Sequence, residues 1–538
     1  MRQTKVTNVV LLCCGAAYYW CSIPNTYNAN TAAWLEQHLT PVLRDLQRCG
    51  VRFTALVADN EAVNDSLWDL LTAHFPFLIR VPCAAHTIQL IVHQVMLIRR
   101  FERCITTVRS IIKRFERSKA DRQQLRHLQS RAAHEYTLLK PCDTRWNSML
   151  YCCERLLKLR GFVQIIFEQS DNFWQETELL CAFLRPFQVA TNVLQRDSAT
   201  LFDVWQQKRM LEKHITTMRE RVGASVAQQA TRALKKRWDK QINKQATHAV
   251  ALFSLVADTS SIPPLELDAA RQFILQFGVC YLRFYSLSEL EEADLQASLL
   301  QQLGSFTGRR GAFTTLGSNI AIAQRSSTSS CTALDIWELY SCELAIVAKA
   351  LLSVTASEAA VERSFSAQDA IHTKRRNRLL DQAVQNEMFV KFNRRALDRP
   401  AGVQNAISSF RCIDLVEDAD DDAAVSIYSD AETEGKSLAQ PVSEPLAAAQ
   451  PSSAAAASSA AAAAAPPVRS QSILDGEMRE VLEEYIADHH ITLAAFRRNC
   501  RYWNNDRRNA LQVALPPGGF MVGDAIAAIK SILGEQNE

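Results

Sequence analysis

Along the first hundred residues, short unbroken apolar runs alternate with longer stretches whose apolar residues recur every three or four positions. Asn8 to Cys14 is one such run, and Tyr18 to Ile23 follows after Gly15, which predicts a hairpin of two buried strands. From Thr31 to Cys49, Trp34, Leu35, Leu39, Val42, Leu43 and Leu46 lie at helical spacing, with Thr31 as cap and Gly50 as stop. A third strand is predicted from Arg52 to Ala58, ending on Asp59-Asn60, and a helix from Glu61 to His74. Leu78 to Pro82 makes a short strand leading into a helix that opens at Cys83 and runs from His86 past Arg126. An acid at the carboxyl end of a buried strand is where an α/β sheet places functional side chains, and the position of Asp59 equally suits a helix N-cap.

Beyond Leu156 the pattern changes to almost pure helix as far as about Ile262, with a further helix from Ala269 to Leu290. The stretch from Gly304 to Ser330, heavy in Gly, Ser and Thr, reads as a loop. Thr332 to Arg395 is apolar in its first half and basic in its second, so one end must be buried and the other presented. Between the halves sits ASEAAVERSF, where Glu358 and Glu362 share one face if helical. Past Arg399, an acidic stretch (Glu417 to Glu434) gives way to Ala, Ser and Pro from Gly435 to Ser470. Such a composition buries too little apolar surface to offset backbone entropy, which predicts a disordered linker over 400–471. Helical periodicity returns from Ile473 to Leu533, a small module in which Tyr502 and Trp503 stand among Arg497, Arg498, Arg501, Arg507 and Arg508.

Composition narrows the class. A chain of 538 residues with 48% hydrophobic and 22% charged residues has material for several cores. Its net charge of +3 leaves any nucleic-acid affinity to local patches, the richest lying between Arg99 and Arg126 with ten Lys or Arg against three acids. Fifteen cysteines without a regular framework point to reduced thiols in a cytosolic or nuclear protein. Cys83-x-x-His86 has half the spacing of a zinc site, but no second pair lies at a suitable distance. No apolar run reaches the roughly 18 residues needed to span a bilayer, so no membrane partner is expected.

Ordered motifs carry a resemblance. VADNEAVNDSLW and VPCAAHTIQLIV, then T-R-W-N-S at Thr144 to Ser148, then LLSV, ASEAAVERSFS, KRRNRLL and VQNEMFVKFN resemble, in that order, the pattern of hAT-family transposases. The last four blocks resemble the family's C-terminal dimerisation region, with an apolar strand, a segment ending E-R-x-F-S, a basic turn and an apolar helix ending near an Asn.

The resemblance implies a ribonuclease H-like mixed sheet with a large all-helical insertion, an α/β fold. Residues 1–155 would form the first part of that core, 156–330 the helical insertion and loop, and 331–399 the last part with the dimerisation region. The linker 400–471 and the helical module 472–538 follow. The family's chemistry uses three carboxylates to hold two Mg²⁺ (or Mn²⁺) ions, one activating the attacking hydroxyl and one steadying the leaving oxygen. Here Asp59 matches the second acid and Glu362 the third. The first, expected in a D-x-W-T context before the hairpin, is not found, because the only acid from Met1 to Arg44 is Glu36. Nor is the family's zinc-finger DNA reader found. The expectation is a nuclear, self-associating hAT-derived protein with residual DNA binding and impaired catalysis. The alternative is an active DDE-type transposase whose start lies upstream.

DNA contacts are expected from Arg145 and Trp146, the aromatic stacking on a displaced base, and from Lys374, Arg375, Arg376 and Arg378. Read from residues alone, Trp146 is a core anchor and Arg145 its surface neighbour. The dimer, or a higher oligomer, is expected to use Leu351, Leu352, Val361, Phe365, Met388 and Phe389, some of which must instead fill the protomer's own core.

Overall fold

In the computed structural model the opening apolar runs pair as expected. β1 (Lys5–Cys13) and β2 (Ala16–Asn25) form an antiparallel hairpin turned at Gly15, whose φ of 76° suits glycine. The register shifts between Val9 and Val10, which face Cys21 and Tyr19, so Trp20 is the extra residue of a bulge. The structure describes residues 5–13, 15–25, 31–130, 135–142, 146–325, 331–371, 379 and 381–397, all in one of two compact units; the other, Arg411–Glu477, lies outside them. The linker and the helical module at 472–538 therefore also fall outside the described residues.

Helix α1 (Ala32–Arg48) is capped by Thr31, whose hydroxyl accepts from the Trp34 amide at 3.2 Å. β3 (Ala55–Ala58), α2 (Ala62–His74) and β4 (Ile79–Pro82) follow, with β4 parallel to β3 in the register Ala55↔Ile79 to Ala58↔Pro82. The N-cap of α2 is Glu61, so Asp59 is not the cap residue.

The expected single mixed sheet is replaced, among the described residues, by two separate two-stranded sheets. β1 pairs only with β2 and β3 only with β4, with no strand joining the two pairs.

Three helices stand where one long helix was expected: α3 (Ala84–Met96), α4 (Arg99–Arg117) and α5 (Lys119–Gln129). The chain turns at Leu97–Ile98, and again at Ser118, whose hydroxyl caps α5 by accepting from Asp121 N at 3.1 Å.

Then come α6 (Trp146–Lys158), α7 (Arg160–Ile166), α8 (Asp171–Leu194), α9 (Leu201–Thr217), α10 (Arg219–Val222), α11 (Ala224–Gln241) and α12 (Lys244–Phe253), the helical block the spacing predicted. α13 (Pro264–Phe284) occupies 264–284 rather than 269–290, because the chain leaves the helix at Tyr285 and Ser286 takes a left-handed φ of 50°.

The Gly/Ser/Thr-rich stretch is largely helical, not loop: α14 (Glu292–Thr307) runs into it and α15 (Leu316–Arg325) lies within it. Phe306 and Phe313 pack against Trp337, whose indole donates to Phe253 O at 2.9 Å. Aromatic burial here outweighs the local turn propensity of the small residues.

The chain continues through α16 (Ala333–Trp337), α17 (Glu343–Leu352), α18 (Ala359–Ile371) and α19 (Asp381–Leu397). The expected strand at Leu351–Val354 is instead the end of α17, and only Thr355 makes a bridge, to Thr200.

α18 and α19 close over the hairpin at the other end of the chain. Asn8 donates to Ser364 Oγ at 2.9 Å and to Gln368 Oε1 at 3.2 Å. Asn393 accepts from Tyr19 N at 2.7 Å and donates to Tyr19 O at 3.1 Å. These bonds satisfy a buried backbone pair beside the bulge. Tyr19, Ala360, Ile371, Val384, Met388 and Phe392 form a small core here, separate from the large core of the helical block.

Candidate functional site

The carboxyl end of β3 is where acids gather. Asp59 follows the last strand residue, and its Oδ1 accepts from Glu61 N at 3.0 Å and from Asn64 Nδ2 at 2.6 Å. Asn60 turns the other way and donates to Thr87 Oγ1 at 3.1 Å, tying the strand end to α3. The spacing Asp59-Asn60-x-x-x-Asn64 thus has a local cause: one amide clamps the aspartate and the other anchors its backbone. The buried Oδ1 of Asn60 has no hydrogen-bond partner.

A short segment from Val354 to Ser357 brings the distant glutamates to this place. Leu201 N donates to Val354 O, Ala356 N to Ala199 O and Ala84 N to Ala356 O, each at 3.0 Å. Ser357 Oγ donates to Leu194 O at 2.6 Å. The segment is held between the end of α8 and the start of α3, and α18 springs from it. Arg363 fixes α18 further by donating to Gln195 O at 3.1 Å and pairing with Asp197.

Electrostatics show what this threading achieves. Burial, then the charges of Asp59, Glu362 and Glu61, push the Glu358 carboxyl from the ordinary 4.5 to about 8, against the pull of a hydrogen bond from the Asp59 backbone. Burial, then the Glu358 charge, pushes the Cys83 thiol up to about 12, with Glu362 a smaller contributor. Asp59 and Glu362 therefore lie within electrostatic reach of the same group, although 303 residues of chain separate them.

Glu358 is the residue the sequence reading left out of the site. Its helical spacing to Glu362 was the available signal; its burial was not visible without the fold. Glu362 itself is exposed.

One oxygen of Asp59 already accepts from two donors, and the neighbouring Glu358 carboxyl is raised to about 8 by burial and by the charges of Asp59, Glu362 and Glu61. Among the described residues no group of three or more His, Cys, Asp or Glu is arranged to hold a metal ion.

The remaining expected site residues divide sharply. Trp146 is 3% exposed, a core side chain at the start of α6 rather than a surface ring. Arg145, Lys374, Arg375, Arg376 and Arg378 lie outside the described residues. Leu351, Leu352 and Met388, expected in the dimer interface, fill the protomer's own cores at 0%, 1% and 0% exposure. Val361 and Phe389 are half-buried, and Phe365 is 38% exposed.

Comparison with known proteins matches this arrangement in two places. Residues 81–182, from the end of β4 through α8, match the ZBED1 RNase-like helical domain, and residues 323–393 match the hAT family C-terminal dimerisation region. Over residues 323–393 the chain is similar to hAT-family proteins. The second match includes α18 and most of α19, which close over the hairpin.

A similar protein is the human zinc finger BED domain-containing protein 4, 24% identical over 149 residues, which is 26% of this chain and 13% of that protein. The chain thus aligns with about an eighth of that protein's length. No helix among the described residues is long and apolar enough to cross a membrane.

Proposed function

We propose that this hAT-derived protein self-associates through its C-terminal region, binds DNA mainly through phosphate contacts in the nucleus, and is impaired in metal-dependent strand transfer. The observation that carries the reading is the match of residues 323–393 to a dimerisation region, together with the outward placement of Phe365 in α18. Of the residues expected in the interface, with Leu351, Leu352 and Met388 assigned to the cores, Phe365 is the most exposed, flanked on its helix by Val361. An exposed aromatic with a half-buried apolar neighbour is the kind of anchor that self-complementary interfaces use.

The impaired chemistry rests on the donor set. The charges of Asp59 and Glu362 both reach Glu358, whose carboxyl they and burial raise to about 8, so the third carboxyl nearby resists ionisation. Losing one member of a catalytic set that acts as a unit removes most of its effect. Cleavage of a labelled duplex in Mg²⁺ or Mn²⁺ is expected to be undetectable. Robust strand transfer abolished by Glu362→Gln would instead support the active-transposase reading.

A further inference from the structure

The ten cations between Arg99 and Arg126 are not equivalent, and the geometry points to four of them as a track for a nucleic-acid phosphate backbone. This deepens the DNA-binding reading proposed above and rests on it. Several of the ten are committed to structure. Arg100 donates to Glu176 at 2.7 and 2.6 Å and to Val222 O at 2.7 Å. Arg114 pairs with Asp121 at 2.9 Å, Arg122 donates to Phe115 O at 2.7 Å, and Arg126 pairs with Glu135 at 3.6 Å.

Arg99, Arg103, Lys113 and Arg117 are different. All four are exposed on α4 and make no hydrogen bond or ion pair among the described residues. With Thr106 and Ser110, also exposed, they step by four, three, four, three and four residues along the helix. At 3.6 residues per turn that keeps all six on one line, opposite the buried face of Phe101, Cys104, Val108, Ile111 and Phe115.

The line is long, rigid and without an apolar residue. A helix of 19 residues spans about 28 Å, some eight phosphates of one DNA strand at 3.4 Å per step. Arg99–Arg103 and Lys113–Arg117 are each about 6 Å apart along the axis, near the spacing of every second phosphate. A helix that binds an anionic bilayer sets apolar residues beside its cations for insertion, and the six positions here include none.

Two of the four are also placed against local stability. Arg99 and Arg103 stand in the first turn and just past it, where the helix dipole disfavours cations. Arg100 is compensated there by Glu176; Arg99 and Arg103 have no such partner among the described residues. A polyanion lying along α4 would supply one.

The test uses the full chain, with fluorescence anisotropy of a labelled 30-base-pair duplex and of one of its strands titrated from 50 to 300 mM KCl. Replacing all four cations (Arg99→Gln, Arg103→Gln, Lys113→Gln, Arg117→Gln) is expected to lower the steepness of log K against log salt by about 3.6 for the duplex and about 2.8 for the single strand. The thermal melt should change little, because all four side chains are exposed and the dipole penalty relieved at Arg99 and Arg103 is offset by the favourable placement lost at Lys113 and Arg117. Removing four exposed cations from α11 (Arg232→Gln, Lys235→Gln, Lys236→Gln, Lys240→Gln) should leave the slope nearly as it was.

Wild type that binds DNA with the same slope as the α4 variant would overturn the track while leaving DNA binding standing. An equal loss in the α11 variant would reduce the effect to net charge and overturn it too. Wild type that binds no nucleic acid at 50 mM KCl would sink the DNA-binding reading itself. Selective loss of binding to vesicles of phosphatidylcholine and phosphatidylserine, with DNA binding unaffected, would assign the stripe to a membrane surface and overturn the proposal.

Discussion

Replacing Glu358 with Gln tests the acidic cluster most sharply, because the two side chains have the same shape and only one can ionise. In the folded protein burial and the charges of Asp59, Glu362 and Glu61 raise this carboxyl from 4.5 to about 8. The folded state therefore holds the proton more tightly than the unfolded chain, so this group's contribution is full below pH 4.5 and is lost as pH rises through 8. A shift of that size corresponds to on the order of 5 kcal/mol once the group is fully ionised. That figure is an upper bound, because water and the Asp59 backbone reorganise around the new charge. The assay is thermal or urea unfolding of wild type and Glu358→Gln in metal-free buffers from pH 4 to pH 9. The two proteins should be equally stable near pH 4 and diverge steadily above pH 5, with the variant the more stable by pH 9. Taking the difference between them removes the titrating groups that do not interact with Glu358. Parallel curves across the range would mean that Glu358 titrates as an ordinary exposed carboxyl, and the convergence of the three acids would then be wrong.

Further outcomes follow from the packing. Met388→Ala empties a fully buried site in the small core over the hairpin and should cost about 2–5 kcal/mol without altering self-association; a change in sedimentation instead would return Met388 to the interface. Asn393→Ala removes the two side-chain bonds to the buried Tyr19 amide and carbonyl, at a cost of about 1–3 kcal/mol, and hydrogen exchange at the Tyr19 amide should accelerate. Burial pushes the Cys83 and Cys152 thiols up to about 12 and Cys104 to about 11. At pH 8, iodoacetamide should therefore label exposed Cys142 in the native protein and reach these three only after unfolding.

Legibility followed the range of the interactions involved. The hairpin, α1, the β3–α2–β4 unit and the helical block are written in local periodicity, and they appear where periodicity put them. What depends on partners far along the chain was hidden. The Gly/Ser/Thr-rich stretch around Gly304 is helical because Phe306 and Phe313 find Trp337 and Phe253, contacts that no local window contains. Leu351 and Met388 look like interface residues in isolation, and only the fold shows them sealed inside the protomer. Near the site, the resemblance singled out Asp59 and Glu362, and in the fold the charges of both act on Glu358. Glu358 needed the path of Val354–Ser357 between α8 and α3, which buries it. The cations of α4 illustrate the same limit, since composition counts them all alike and geometry separates those that hold helices together from those that face solvent.

Self-association is the claim on which the functional reading turns, and sedimentation velocity of the full chain at micromolar concentration addresses it directly. Wild type should sediment as a dimer or larger species, and Phe365→Ser should shift it toward monomer with its circular dichroism unchanged. A wild-type chain that remains strictly monomeric would contradict the account.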